Sequence, residues 1–256
     1  MYSDVVDLIR ELYNTSDLIT LHEPRFYGNE KKYVNEAIES TFVSSVGLFV
    51  DKFEQDFSNY IGVEKSVACV NGTAALHMAL ILANVGQGDE VITQSLTFIA
   101  TCNAISYQKA YPVFVDVDKD TMGMSPVALR NFLEQNAELT KDGCINKSSG
   151  RKIKAVVPMH SFGHACRIDE IASICKEWNV LLIEDAAEAI GSRYKGKALG
   201  TFGDLAAFSF NGNKIITTGG GGMVVAKDQN IAARAKYLTT TAKRPHAYEF
   251  FHDEVG

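Results

Sequence analysis

Short apolar, β-branched runs alternate with segments of helical period along most of the chain, and this alternation most restricts what it can fold into. SVACV (66–70), EVITQS (90–95), PVFVDVD (112–118), KAVVPMH (154–160), VLLIEDA (180–186), LAAFSFNG (205–212) and GGMVVAK (221–227) read as strands. AALHMALILA, FIATCNAISYQ, MSPVALRNFLEQ, IDEIASICKEWN and DQNIAARAKYLT read as the helices between and after them. Ser125 is placed to cap its helix with Pro126 at the first helical position, and Asp228 to cap the last helix. Upstream, EKKYVNEAIES and VDKFEQDFSNYIG are also helical in period, the second with Phe53, Phe57 and Tyr60 on one face. The polar, turn-rich stretch 140–152 reads as an excursion loop. Strands alternating with helices predict an α/β fold with a mainly parallel sheet and helices on both faces. The near-continuous apolar character of VLLI and AVVPM fits strands buried on both sides.

Charge excludes some partners. The 256 residues carry a formal net charge of −6, so no overall basic field draws nucleic acid. Anionic ligands have to be held by local devices such as helix N-termini. The five cysteines are odd in number and lack CxxC spacing, which predicts reduced core thiols. No apolar run approaches membrane-spanning length, and MYSDVVDLIRELY does not suit a signal peptide. A soluble cytoplasmic protein is expected. FFHDEVG stops without a helix terminus, which suggests a natural chain that continues further.

The chemistry gathers around SFNGNKIITTGGGG (209–222). A phosphate-binding P-loop requires Gly-Lys-Ser/Thr, but Lys214 follows Asn213 and precedes Ile215. A dinucleotide fingerprint fails as well, because Val224 stands at the third glycine position and MVVAK continues as a strand. A lysine flanked by apolar residues can instead be a desolvated nucleophile, with the glycines giving clearance to a planar ligand. The plain alternative is a surface lysine before a flexible turn. Other segments weigh on the choice. Asn71-Gly72-Thr73 joins a buried strand to an apolar helix, where amides and a hydroxyl can meet an anion. Asp185 ends a buried strand, where α/β folds bind ligands and an acid requires a cationic partner. Ser209 and Asn211 lie where a phosphate could be held. Lysine, buried acid and phosphate cradle together make up a kit for pyridoxal phosphate. His160, His164 and Cys166 have metal-compatible spacing but follow a strand, and a structural loop is the preferred reading, with no metal site. Met122 and Met124 read as packing or loop residues, and Lys243, Arg244 and His246 as cations that could approach a diphosphate or simply be solvated.

With NGTAAL (71–76), SLTFIATCNAI (95–105), PVFVDVD, IEDAAEAIGS (183–192) and SFNGNK (209–214) in this order, the chain resembles the DegT/DnrJ/StrS family from about Phe26 onward. These are pyridoxal-phosphate-dependent nucleotide-sugar aminotransferases with the type I, aspartate-aminotransferase-like fold. EKKYVNEAIESTFVSSVGLFVDKFEQDF and FNGNKIITTGGGG most resemble the LegC-like branch, which acts on 4-keto-6-deoxy nucleotide sugars toward legionaminic acid or related surface sugars. The resemblance implies an N-terminal segment (1–28), a large cofactor domain (29–256), a C-terminal small domain beyond this chain, and a homodimer with shared sites. It implies that Lys214 forms the Schiff base and moves the proton between Cα and C4′, while Asp185 pairs with the ring nitrogen. Phe98 would stack on the ring, and Gly72, Thr73, Ala74 and Ser209 would bind the phosphate with Asn211 nearby. Glu188 would sit near the cofactor hydroxyl or the sugar, and Gly220 stands where many relatives have an acid. The implied reaction is ping-pong, with glutamate as amino donor leaving as 2-oxoglutarate. A dehydratase of the same family usually replaces the lysine, so Lys214 speaks against it. A non-catalytic regulatory protein of this fold is the other alternative.

Overall fold

The computed structural model describes residues 2–244 and 251–256. His246, named above, lies outside the described residues. Three helices lead in: α1 (Ser3–Tyr13), α2 (Glu30–Glu39) and α3 (Leu48–Ile61). The alternating part follows as β1 (Ser66–Cys69), α4 (Gly72–Leu82), β2 (Glu90–Gln94), α5 (Ile99–Tyr107), β3 (Tyr111–Val115) and α6 (Pro126–Asn136). A hairpin of β4 (Ala137–Thr140) and β5 (Gly143–Asn146) comes next, then β6 (Ile153–Val157), α7 (Ile168–Glu177) and β7 (Leu181–Asp185). The chain continues through β8 (Arg193–Tyr194), β9 (Lys197–Ala198), β10 (Leu205–Ser209), β11 (Gly222–Ala226) and α8 (Gln229–Thr239). A short pair, β12 (Lys243–Arg244) and β13 (Phe251–His252), closes it.

Seven strands form the central sheet in the order β1-β11-β10-β7-β6-β2-β3. The mainly parallel sheet expected from the alternation is present, with β11 as the exception, antiparallel to both β1 and β10. The exception follows from connection length: no helix separates β10 from β11, so the chain can only turn back. The sheet buries an apolar layer on each face. On one side Phe57, Leu129, Leu133, Ile171 and Ile174 come from α3, α6 and α7; on the other Leu76, Leu80, Ile105 and Leu238 come from α4, α5 and α8. Consecutive strand residues serve opposite layers, as the period of two requires: Leu182 packs with the first and Ile183 with the second. Ser125 and Asp228 cap their helices as read, each side chain accepting a first-turn amide. All five cysteines are free thiols, and burial pushes Cys69 up to about 12.

Three readings require correction. The 140–152 stretch is in large part a β-hairpin turning at Lys141-Asp142. Its polar residues are not merely solvated: Asn146 Nδ2 donates to Glu90 Oε2 at 2.7 Å and Ser149 Oγ to Glu90 Oε1 at 2.6 Å, satisfying an acid buried at the start of β2. In α3, Phe53 and Phe57 do share the core face, with ring centroids 5.1 and 5.0 Å from Phe210 and Phe208 respectively, but Tyr60 is exposed. The last two glycines of the run clear the protein's own atoms, and none of the four lines the cavity at the α4 terminus. A Cβ on Gly222 would stand 2.3 Å from the Asn71 carbonyl oxygen, and one on Gly221 2.3 Å from Thr218 Oγ1. Small residues there let β11 close against the turn leading into α4.

Candidate active site

The C-terminal ends of β7 and β10, the first turn of α4 and the segment entering α5 surround a cavity of about 590 Å3. Gly72, Thr73, Phe98, Asp185, Glu188, Ser209, Asn211 and Lys214 all line it. Sequence positions spread over more than half the chain thus face one volume, because parallel strands of one sheet end on one edge.

The α4 terminus is built locally. Asn71 takes an extended conformation and its Oδ1 accepts the Ala74 amide at 2.8 Å. Ala74 is therefore committed to the cap, and it does not line the cavity. Gly72 and Thr73 are the residues of the first turn that do. Gly72 also permits close packing: a Cβ there would lie 2.7 Å from Ser209 Cβ, so its absence brings the serine hydroxyl beside the helix terminus.

Lys214 reaches into the cavity from a turn in which its amide donates to Asn211 O at 3.0 Å. Its side chain is 13% exposed, with Nζ 2.7 Å from Glu188 Oε1 and 5.9 Å from the Phe98 ring centroid. The apolar neighbours do not enclose it as expected, since Ile215 and Ile216 are themselves exposed. Enclosure comes from the cavity walls, and the lysine has a carboxylate partner. His22, from the N-terminal segment, lies with a ring nitrogen 3.0 Å from the Lys214 carbonyl oxygen.

Asp185 is buried, and its Oδ2 accepts the Thr101 hydroxyl at 2.7 Å while Oδ1 accepts the Ala187 amide at 3.2 Å. Among the described residues no cation is within ion-pair distance of it. Burial raises its pKa above the ordinary carboxylate value, against the lowering effect of those hydrogen bonds and of the His160 and Lys214 charges. A buried acid of this kind fits a ligand that brings a protonated ring nitrogen. Together with the cleared α4 terminus and the enclosed lysine, the residues present fit pyridoxal phosphate.

Several residues here were not assigned to this site from sequence. Thr101 sits one turn beyond Phe98 in the same quoted motif, so the spacing could have shown it. His160, Ser161, Phe162 and Met159 also line the cavity. His160 belongs to a buried cluster: Nε2 is 3.0 Å from Glu184 Oε2 and Nδ1 is 3.6 Å from Cys166 Sγ. His164, by contrast, is exposed. Among the described residues no group of three His, Cys, Asp or Glu is arranged to hold a metal ion. No helix among them is long and apolar enough to cross a membrane.

Known proteins are similar in sequence and fold. EpsN of Bacillus subtilis, provisionally designated a pyridoxal phosphate-dependent aminotransferase, is 44% identical over 93% of this chain and 58% of its own length. GDP-perosamine synthase of Caulobacter vibrioides is 42% identical over 92% of this chain and 60% of its own. Among solved structures, the aminotransferase TlmJ from Streptoalloteichus hindustanus superposes with a TM-score of 0.82 at 32% identity, covering 94% of this chain and 61% of that one. The chain thus spans about three fifths of the length of these proteins. Its mainly parallel sheet with helices on both faces is the type I fold of pyridoxal-phosphate-dependent transferases. The family model for the DegT/DnrJ/EryC1/StrS aminotransferases matches residues 25–256, more than half of the sequence, and the chain belongs to that family.

Proposed function

We propose that this chain is the cofactor-binding part of a pyridoxal-phosphate-dependent nucleotide-sugar aminotransferase. One observation carries the reading: an enclosed lysine and a buried acid without a cationic partner among the described residues face the same cavity at a cleared helix N-terminus. When bound, the cofactor supplies an electron sink for breaking and remaking a C–H bond at the amine-bearing carbon. The chain's own residues do the rest. Asp185 would accept a hydrogen bond from the ring N–H and so keep that nitrogen protonated; Thr101 fixes the carboxylate's orientation. Thr73, Gly72 and Ser209 would hold the phosphate, with Asn211 beside them, and Phe98 would lie against the ring, since all line the cavity. Lys214 Nζ carries the proton, and Glu188, 2.7 Å away, positions that amine.

The substrate we assign is a 4-keto-6-deoxy nucleotide sugar, converted to its 4-amino sugar with glutamate as donor, toward a legionaminic-acid-like surface sugar. Two features support this: the LegC-like stretches around residues 30–57 and 210–222, and a relative whose name is that of a nucleotide-linked amino-sugar synthase. Residues 29–256 are assigned to the large domain, with a C-terminal small domain and a second copy of the chain completing the site in the cytoplasm.

Full-length protein loaded with pyridoxal phosphate should show a visible absorbance band that shifts on adding glutamate and is fixed to Lys214 by borohydride. Lys214→Ala should abolish turnover. A glutamate-driven spectral change of normal size and rate in that variant refutes the assignment.

A further inference from the structure

Phe162 is the most strained aromatic position among the described residues that line the cavity. Its backbone is left-handed, with φ 52° and ψ 26°, a region that a bulky side chain with a Cβ rarely occupies. The residue is 79% exposed at the cavity wall, and its ring makes no ring contact among the described residues. Burial therefore does not reward the conformation.

The surroundings impose it. Ser161, buried beneath, donates its hydroxyl to Met122 O at 2.7 Å and receives Gln94 Nε2 at 3.3 Å. Gln94 is fully buried, and its Oε1 accepts the amides of both Met124 and Met159, tying the strand edges under the turn together. The turn closes through Gly163 N to His160 O at 3.0 Å and His164 N to Ser161 O at 2.9 Å. Gly163 packs so closely that a Cβ would lie 2.4 Å from the carbonyl oxygen of Glu188, the residue paired with Lys214. Buried polar groups thus hold a turn that presents an aromatic ring to the cavity that Lys214 also lines. Strain sustained in this way at a ligand cavity points to a task for the side chain.

We propose that Phe162 determines acceptor specificity: its ring forms an apolar wall for the C–H face and C6 methyl group of the nucleotide-linked sugar. This rests on the aminotransferase reading. Glutamate, doubly anionic, gains little from an aromatic wall, whereas a 6-deoxyhexose offers C–H groups and a methyl. Phe98, on a different element and 5.9 Å from Lys214 Nζ, faces the cofactor position instead.

The test uses full-length Phe162→Gly and Phe162→Tyr proteins. Glycine relieves the left-handed strain, so its thermal midpoint without cofactor should equal or exceed that of the parent. KM for a nucleotide-linked 4-keto-6-deoxyhexose should rise about tenfold, equivalent to about 1.4 kcal/mol, and at least fivefold more than KM for glutamate. Phe162→Tyr should retain the parent value. The preference for 6-deoxy over 6-hydroxy sugars should shrink in the glycine variant only. Equal effects on both half-reactions overturn the proposal. So does loss of the dimer in the glycine variant, which would place the ring against a second copy. If the parent shows no glutamate-driven absorbance change, the aminotransferase reading fails instead. Titration of cofactor-free parent and glycine proteins with the same nucleotide sugar then decides Phe162 alone: equal affinities refute its role.

Discussion

Glu184 and Asp185 are consecutive, buried carboxylates on one strand, and the fold treats them in opposite ways. Glu184 faces the α3/α6/α7 side. It is bonded to His160 at 3.0 Å and accepts the amides of Gly200, Phe202 and Gly203 at 2.7–2.8 Å. Burial would raise its pKa, but these partners hold it below the ordinary value. Asp185 faces the other layer, accepts two hydrogen bonds, has no adjacent cation among the described residues, and is left with a raised pKa. A buried carboxylate with an imidazole and three amides on one face, and one with two hydrogen bonds on the next, mark where the structure is finished and where it could take a ligand.

Breaking the finished side should cost most. Glu184→Ala leaves the His160 imidazole and three buried amides without their acceptor, which should lower unfolding free energy by about 3–5 kcal/mol in urea titrations. A loss under about 1 kcal/mol would remove the contrast. On the waiting side, Asp185→Asn should lower kcat/KM of the full-length protein at least about a hundredfold, about 2.7 kcal/mol in the transition state. Without cofactor the same change should stabilise the fold. A raised carboxyl pKa means that the charged form opposes folding once pH exceeds the unfolded value, and asparagine removes that charge. A lower melting temperature for cofactor-free Asp185→Asn would contradict the comparison.

The pH profile sharpens it. Burial disfavours charge on His160, but the hydrogen bonds with Cys166 and Glu184, and their charges, outweigh this and push it up to about 10. A histidine pKa raised on folding gives stability that is complete below the unfolded value near 6.5 and lost as pH climbs toward 10. Unfolding free energy should therefore decline over that window in the parent and more shallowly in Glu184→Gln. Smaller again is Thr101→Val, which removes one donor to the Asp185 carboxylate and should weaken cofactor binding by about 1.5 kcal/mol in equilibrium titrations. Asn71→Ala, which deletes a helix cap, should cost about 1 kcal/mol of stability.

How much of this could be read beforehand depended on what the pattern encodes. The strands and helices were legible because apolar period reports burial directly, and VLLIEDA showed an acid at a strand end. The same run hid the difference between Glu184 and Asp185, since a strand buried on both faces no longer alternates. Lys214 stood out through its neighbours in order along the chain, yet its enclosure comes from distant walls and not from Ile215 and Ile216. The hairpin 137–146 was missed because Lys141-Asp142-Gly143 resembles any polar loop, and only Glu90, far upstream, gives its side chains a purpose. Phe162 carried no local sign of its left-handed backbone; that is imposed by Gln94 and Met122 from other parts of the chain.

The antiparallel insertion of β11 bears on the time order of folding. In the central sheet β1 pairs with β11 alone, a partner roughly 150 residues later in the chain, and such distant pairings form slowly. During synthesis, β1 and the Asn71 turn that leads into α4 have no strand to join until residue 226 has emerged. Lys214 is made before that point, but the cavity it lines is assembled last. Chains halted between Lys214 and Ala226 should bind no cofactor, and their first sheet edge stays open to other chains.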